Sequence, residues 1–258
     1  MKVLSNQCLI LAAGNGRRLI PQYGGIPKPL VRLRGRPLLE HVLLAAKNAG
    51  IDEFVIVVGY RGEMIRHWFD ERSFNGINVT WVENADYHKD NGISVLKARE
   101  QLHDPFLLLM ADHIFEPSTA RALMNQRLAE GDVILGVDPK IDRVFDLDDA
   151  TKVKRDGNHI VHIGKEIAPY DALDTGMFLC SSGLFDALDS AMKNGTCSLS
   201  DGMRKMGRDS KLRAFDIGDA HWQDVDTPEA LAYAETIFDR HFSRSFVAEE
   251  LGRVQYAA

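Results

Sequence analysis

Cysteine is scarce. The three present among 258 residues, Cys8, Cys180 and Cys197, are odd in number and scattered, which excludes a disulfide framework and a zinc knuckle. Two of them lie in strand-like apolar runs, the setting of buried reduced thiols. No apolar run approaches the roughly 18 residues of a membrane span, and the stretch from Met1 to Gln7 lacks the apolar core of a secretory leader. A cytoplasmic location is expected, where the Asn-x-Thr triplets starting at Asn78 and Asn194 carry no glycosylation meaning. Positive charge is not in excess either: the formal net charge of −6 leaves no basic footprint for nucleic acid. Repeats, low-complexity tracts and linker-like composition breaks are missing, so a single domain over 1–258 is expected, with 1–138 and 139–258 as its two halves.

Two familiar phosphate-binding signatures are absent as well. G-x-G-x-x-G needs glycine at position 19, which is Leu19, and the pair Gly164-Lys165 is followed by Glu166 without the earlier glycine of a Walker A loop. What stands in their place is the run Leu9-Ile10-Leu11-Ala12-Ala13-Gly14-Asn15-Gly16-Arg17-Arg18-Leu19, with Pro27-Lys28-Pro29-Leu30 behind it. An apolar strand empties into a glycine turn whose backbone N–H groups can approach an anion, and arginines and a lysine follow to neutralise it. This is the chemistry of a polyphosphate cradle.

Hydrophobic residues at 45% and charged residues at 26% are those of a globular chain long enough for a large core. Strands are predicted over 7–13, 53–59, 78–82 and 105–111, alternating with helices over 37–49, 61–72, 92–102 and 117–129. Runs such as Phe54-Val55-Ile56-Val57-Val58 are apolar on both faces, as strands covered by helices on both sides must be. The fold class expected is α/β, a doubly wound and mostly parallel sheet. A hairpin around Asp156-Gly157 and a strand over 175–180 add a small antiparallel extension that walls one side of a cleft, and a helix over 228–242 closes the chain.

Ligands of open α/β sheets collect beyond the carboxyl ends of the strands. Asp112 follows the apolar run Phe106 to Ala111 and is delivered there by a rigid strand, which suits a ligand of a hard cation such as Mg²⁺. Downstream, Asp224 and Asp226 share one side of an extended segment and are placed to meet the same ion, while Asp226 or Thr227 caps the helix that Pro228 begins. His159 and His162 make a poor metal pair in a strand, and His113 is left open beside Asp112. The segment Asp146-Leu147-Asp148-Asp149 lacks the glycine and terminal glutamate of an EF-hand and is expected to be a solvated acidic turn.

The pattern L-A-A-G-x-G-x-R-L…P-K-P-L resembles the opening of the sugar-phosphate nucleotidyltransferase superfamily, Rossmann-like enzymes that join a phosphorylated alcohol to a nucleoside triphosphate and release pyrophosphate. Further stretches are similar to one branch, the CTP:inositol-1-phosphate cytidylyltransferases and relatives acting on phosphocholine or phosphonates. These are Glu83-Asn84 with Asn91-Gly92-Ile93-Ser94, Met110-Ala111-Asp112-His113, the 146–153 segment, Ile163-Gly164-Lys165-Glu166, Asp174-Thr175-Gly176-Met177-Phe178 and Asp224-Val225-Asp226-Thr227-Pro228. By that resemblance Leu11, Ala12, Ala13 and Gly14 hold base and ribose, and Gly16, Arg18 and Lys28 the triphosphate. Asn84, Asn91 and Ser94 lie beside the pyrimidine, and Asp112 and Asp226 hold Mg²⁺. Lys165 grips the phosphate of the second substrate, with Asp174, Thr175 and Gly176 along its alcohol portion. Ile93, where an aromatic residue is usual, and Arg17, where a small hydroxyl residue is usual, depart from the pattern. The resemblance implies CTP and a phosphorylated alcohol, inositol 1-phosphate first, as substrates; no nucleic acid and no membrane segment are expected from the charge and hydropathy above. Two alternatives stay open: a nucleotidyltransferase using UTP, dTTP or GTP, and a nucleotide sensor of the same fold.

Overall fold

In the computed structural model, which describes residues 6–16, 18–19 and 24–242, the chain opens with β1 (Gln7–Ala12), the short hairpin β2 (Arg32–Leu33) and β3 (Arg36–Pro37), and α1 (Leu38–Ala49). It continues through β4 (Glu53–Val58), α2 (Gly62–Asp70), β5 (Asn78–Glu83), α3 (Gly92–Lys97), β6 (Phe106–Met110), β7 (His113–Phe115) and α4 (Pro117–Met124). The second half holds β8 (Val133–Asp138), β9 (Lys152–Asp156), β10 (His159–Gly164), β11 (Ala172–Cys180), α5 (Gly183–Ala191), α6 (Leu199–Arg208), β12 (Leu212–Asp216), β13 (Trp222–Asp224) and α7 (Pro228–His241). Arg17, expected to alter the triphosphate turn, lies outside the described residues.

Strands from both halves share one nine-stranded sheet in the order β5-β4-β1-β6-β11-β8-β12-β10-β9. Strand alternation divides its side chains between two cores: Cys8, Ile10 and Ala12 of β1 pack under α1, α2 and α4, whereas Leu9 packs under α3, α5 and α6. That is the doubly wound α/β arrangement. β5, β4, β1 and β6 run parallel, and β8 is parallel to β12. The antiparallel part is larger than a small extension, because β11 runs against both β6 and β8 in the middle of the sheet. A strand apolar on both faces reads the same in either direction, so composition carries no sign of this reversal. Two predicted helices stop early: the one from Gly92 ends at Lys97 before a separate 3₁₀ turn at Arg99–Gln101, and α4 ends at Met124 rather than 129. The three cysteines are free and buried, and burial pushes the thiols of Cys8 and Cys180 well up.

Two local devices set the site. β7 and β13 pair as an antiparallel ribbon with His113 opposite Asp224, and the Val225 N–H donates to the Asp112 carbonyl at 3.0 Å. Residues remote in sequence thereby converge beyond the end of β6. Then α7 begins at Pro228 with Thr227, not Asp226, as its cap: the Thr227 hydroxyl accepts the Ala230 N–H at 3.1 Å. Asp226 is left free to face the cleft. Leu231, Ala234 and Phe238 of α7 pack with Leu19, Val31 and Val225 in a third core, which joins the glycine turn to the ribbon.

Replacing the Thr227 hydroxyl should cost about 1 kcal/mol in denaturant unfolding for Thr227→Ala, with Thr227→Ser close to wild type. Equal stability of all three proteins would show that the cap is not what anchors Asp226.

Candidate active site

Lys28 is the centre of the site. The residue sits in a 3₁₀ turn at Lys28–Leu30 and is buried. Gly16, at φ +52, packs so closely that a Cβ there would lie 2.8 Å from Lys28 Cβ, which confines the lysine stem to one path. The ammonium donates to Asp112 Oδ2 at 2.6 Å and to Asp226 Oδ1, and lies 3.9 Å from Asp224 Oδ1. Burial acts to lower the Lys28 pKa, but the carboxylates of Asp112, Asp224 and Asp226 outweigh it and hold the group charged. Burial likewise pushes Asp112 up, and Lys28 and His113 reverse this, holding it well below the usual carboxylate range.

His113 is the second anchor. Its Nδ1 lies 2.8 Å from Asp112 Oδ1 and 3.7 Å from Asp224 Oδ1, and its ring stacks on Trp222 at 6.0 Å between centroids. Burial alone would lower its pKa, yet Asp224 and Asp112 raise it to about 9. Asp224 is pushed up to about 7 by burial, and by Asp112 and Asp226 against the pull of His113 and Lys28. Its Oδ1 is buried and has no hydrogen-bond partner among the described residues. An orphaned carboxylate oxygen between two others is a donor set for a hard cation: Asp112, His113 and Asp224 lie close enough to share one ion, as do Asp149, Asp224 and Asp226.

Two cavities meet at these aspartates. One, of about 350 Å³, is lined by Leu11, Ala12, Gly14, Gly16, Arg18 and Lys28. The other, of about 280 Å³, is lined by Asn91, Lys165, Asp174, Gly176 and Trp222 among others. Asp112 and Asp226 line both. Across the junction, Arg18 Nη1 donates to Asp149 Oδ2 at 2.8 Å and Nη2 to Asp226, while Lys165 Nζ donates to the other oxygen of Asp149. The expected acidic turn is therefore corrected at Asp149, which links a cation of one cavity to a cation of the other. Nothing local in 146–149 announces this, because the link forms only through tertiary approach.

Other expected site residues are distributed unevenly. Ala13 offers its carbonyl to the Tyr60 N–H at 3.0 Å and lines neither cavity. Thr175 is fully buried and donates to the Gly136 carbonyl at 2.7 Å, because strand alternation sends it to the face opposite Asp174 and Gly176. Asn84 and Ser94 are buried and bonded to each other at 2.9 Å, and the Asn84 side-chain Oδ1 accepts the Asp86 N–H. They brace the turn after β5 rather than open into a cavity. Asn91 lines the second cavity while its side-chain oxygen accepts the Leu199 N–H at 2.8 Å. Ile93 is buried in the α3 core. Asp174, in contrast, faces the cavity with its pKa pushed up to about 6 by burial, against the Gly176 N–H bond. Trp222, Leu199 and Met203 also line it and carry no local sequence signal for doing so.

A glycine turn at the end of β1, a buried lysine and aspartates shared by two cavities mark the site of this α/β protein. The family profile of the MobA-like NTP transferase domain matches residues 8–206, and the chain belongs to that family. It is 38% identical over 229 residues to a bifunctional IPC transferase and DIPP synthase of Rubrobacter xylanophilus, covering 88% of this chain and 50% of the relative. A protein of the same name from Thermococcus kodakarensis is 30% identical, covering 97% of this chain and 56% of the relative. The chain thus spans about half the length of these curated relatives. Among solved structures, the inositol-1-phosphate CTP transferase of T. maritima superposes with a TM-score of 0.81 at 26% identity, covering 93% of this chain and 97% of that one. UDP-glucose pyrophosphorylase with UDP-glucose superposes at 0.76 and 19% identity, covering 91% and 98%, a likeness of fold. No helix among the described residues is long and apolar enough to cross a membrane.

The ion pairs of His113 should be visible in stability. Its pKa rises from 6.5 to about 9 on folding, so the folded chain holds a proton that the unfolded chain releases near pH 6.5. The stabilisation is complete below that pH and is lost as pH rises through about 9. Thermal unfolding in chelator should show Tm falling across this window, and His113→Asn should remove the decline. A pH-independent Tm in the wild type would contradict the cluster as described.

Proposed function

We propose that this chain catalyses Mg²⁺-dependent transfer of the cytidylyl group from CTP to inositol 1-phosphate, giving a CDP-alcohol and pyrophosphate. The observation that carries the reading is that Asp112 and Asp226 line both cavities, with Lys28 between them. A reaction joining two phosphorylated molecules needs one place where both are neutralised. The similarity to the inositol-1-phosphate CTP transferase of T. maritima supports the choice of substrates.

The attacking phosphate oxygen is already anionic, so no general base is needed; alignment with the α-phosphorus and relief of charge repulsion are. In the proposed roles Lys165 holds the acceptor phosphate, Lys28 stabilises charge on the α-phosphate, and Arg18 with the Gly14–Gly16 turn stabilises the leaving pyrophosphate. Asp149 orients Lys165 and Arg18 toward the junction. Asp112, Asp224 and Asp226 would hold Mg²⁺, and the orphaned oxygen of Asp224 fits that role. Bound there, the ion supplies further neutralisation of the triphosphate.

Pyrophosphate release with a panel of triphosphates and phosphorylated acceptors tests the proposal. CTP with inositol 1-phosphate should give the highest kcat/KM; a higher value for UTP, dTTP or GTP with a hexose 1-phosphate would overturn the substrate assignment, and no turnover with any pair would leave a binding protein. Asp112→Asn and Asp226→Asn should each lower kcat by about 10² to 10³. Lys165→Ala should raise the acceptor KM and leave CTP binding by calorimetry intact, and an unchanged acceptor KM would remove Lys165 from the site.

A further inference from the structure

The second cavity contains a ring nitrogen, His113 Nε2, to which the roles proposed above give no task. His113 is clamped on three sides: Nδ1 on Asp112, one ring face on Trp222, and the Cδ2–Nε2 edge against Gly176. Gly176 is at φ +73, and a Cβ there would stand 2.5 Å from His113 Cδ2 and 2.8 Å from Nε2, so glycine is what leaves the imidazole its place. Trp222 is fixed in turn, its Nε1 donating to Asp138 Oδ2 at 2.9 Å, and Asp138 is held by Lys140 at 2.7 Å. So rigid a mounting for one ring is unnecessary if its only task is to neutralise Asp112. Among the described residues Nε2 has no hydrogen-bond partner, and His113 lines the cavity alongside Asp174.

We propose that His113 is an acceptor-recognition residue: its Nε2, together with the Asp174 carboxylate, binds hydroxyl groups of the acceptor, and this pair selects a polyhydroxylated ring over an alcohol bearing an ammonium group. This rests on the second cavity being the acceptor side, as proposed above. A hydroxyl both donates and accepts, so one ring hydroxyl satisfies Nε2 while it or its neighbour donates to Asp174. The remaining lining agrees. Asp146 and Asp174 offer acceptors for hydroxyl donors, and Lys165 offers a cation for a single phosphate. A quaternary ammonium is recognised by open aromatic faces. Here the Trp222 ring is stacked on His113, and Phe178, the other aromatic lining residue besides His113, is only 1% exposed. The cavity, at about 280 Å³, has room for one small ring.

The test uses the difference between two isosteric losses. His113→Asn keeps an amide where Nδ1 meets Asp112 and deletes the Nε2 edge. Steady-state kinetics are measured for wild type and variant with inositol 1-phosphate, its single-deoxy analogues and phosphocholine, together with the KM for CTP and the Mg²⁺ activation curve. The variant should raise the acceptor KM by about 10- to 100-fold, well beyond any change in the KM for CTP or in the Mg²⁺ activation curve. One deoxy analogue, poor with the wild type, should be no poorer than the parent with the variant, and discrimination against phosphocholine should shrink. The proposal is overturned if acceptor KM and the deoxy pattern are unmoved while CTP or Mg²⁺ dependence shifts, for His113 then serves Asp112 alone. Trp222→Phe, which keeps the stacked ring and loses the Asp138 bond, provides a second variant and should show a smaller loss confined to the acceptor. If the wild type instead prefers a hexose phosphate with another triphosphate, the proposed function falls, and the same comparison with deoxyhexose phosphates still decides the role of His113.

Discussion

One buried ammonium makes the rest of this site possible. Asp112, Asp224 and Asp226 come together because β7 and β13 pair, and three carboxylates that close repel one another and resist burial. Lys28 Nζ lies among them and is brought there by a 3₁₀ turn that Gly16 leaves room for. The glycine turn of β1 and the ribbon beyond β6 are thus two halves of one electrostatic unit, and the α7 core that joins Leu19 to Val225 holds them in register.

Exposure grades the cations of the site. The Lys28 side chain is 7% exposed, whereas Arg18 and Lys165 are 48% and 51% exposed where they meet Asp149. Exposed pairs contribute roughly 0–1 kcal/mol, so in the proposed roles a phosphate can draw Arg18 and Lys165 from Asp149 at small cost. In those roles Asp149, paired with both, keeps the two exposed cations near the junction. A fixed centre flanked by displaceable cations is suited to a reaction whose substrates carry most of the charge.

The parts of this arrangement legible in the sequence are those that local chemistry dictates. Gly14, Gly16 and Lys28 follow directly from a strand, a turn and the charge behind it, and Asp112 from the rigid apolar run before it. The Thr227 cap and the freedom of Asp226 were legible as a pair of alternatives. β11 was not legible as an antiparallel strand, because its apolar residues fit either direction. The capping box of Ser198 and Asp201 was a usable signal for α6, the helix that brings Leu199 and Met203 to the second cavity. Asp149, His113 and Trp222 depend on partners far away in sequence, and Thr175 was misplaced because a motif names neighbours whereas a strand separates them by face.

The central claim is that the acceptor phosphate is itself the nucleophile, one of its own oxygens becoming the bridge to the α-phosphorus of CTP. Inositol 1-phosphate labelled with ¹⁸O in its non-bridging phosphate oxygens, incubated with CTP and the enzyme, reports this through isotope shifts in ³¹P NMR. The account predicts label in the new bridging oxygen and throughout the acceptor phosphate of the CDP-alcohol, with none in pyrophosphate. Label appearing in pyrophosphate, or CMP and pyrophosphate formed without a labelled CDP-alcohol, would contradict it.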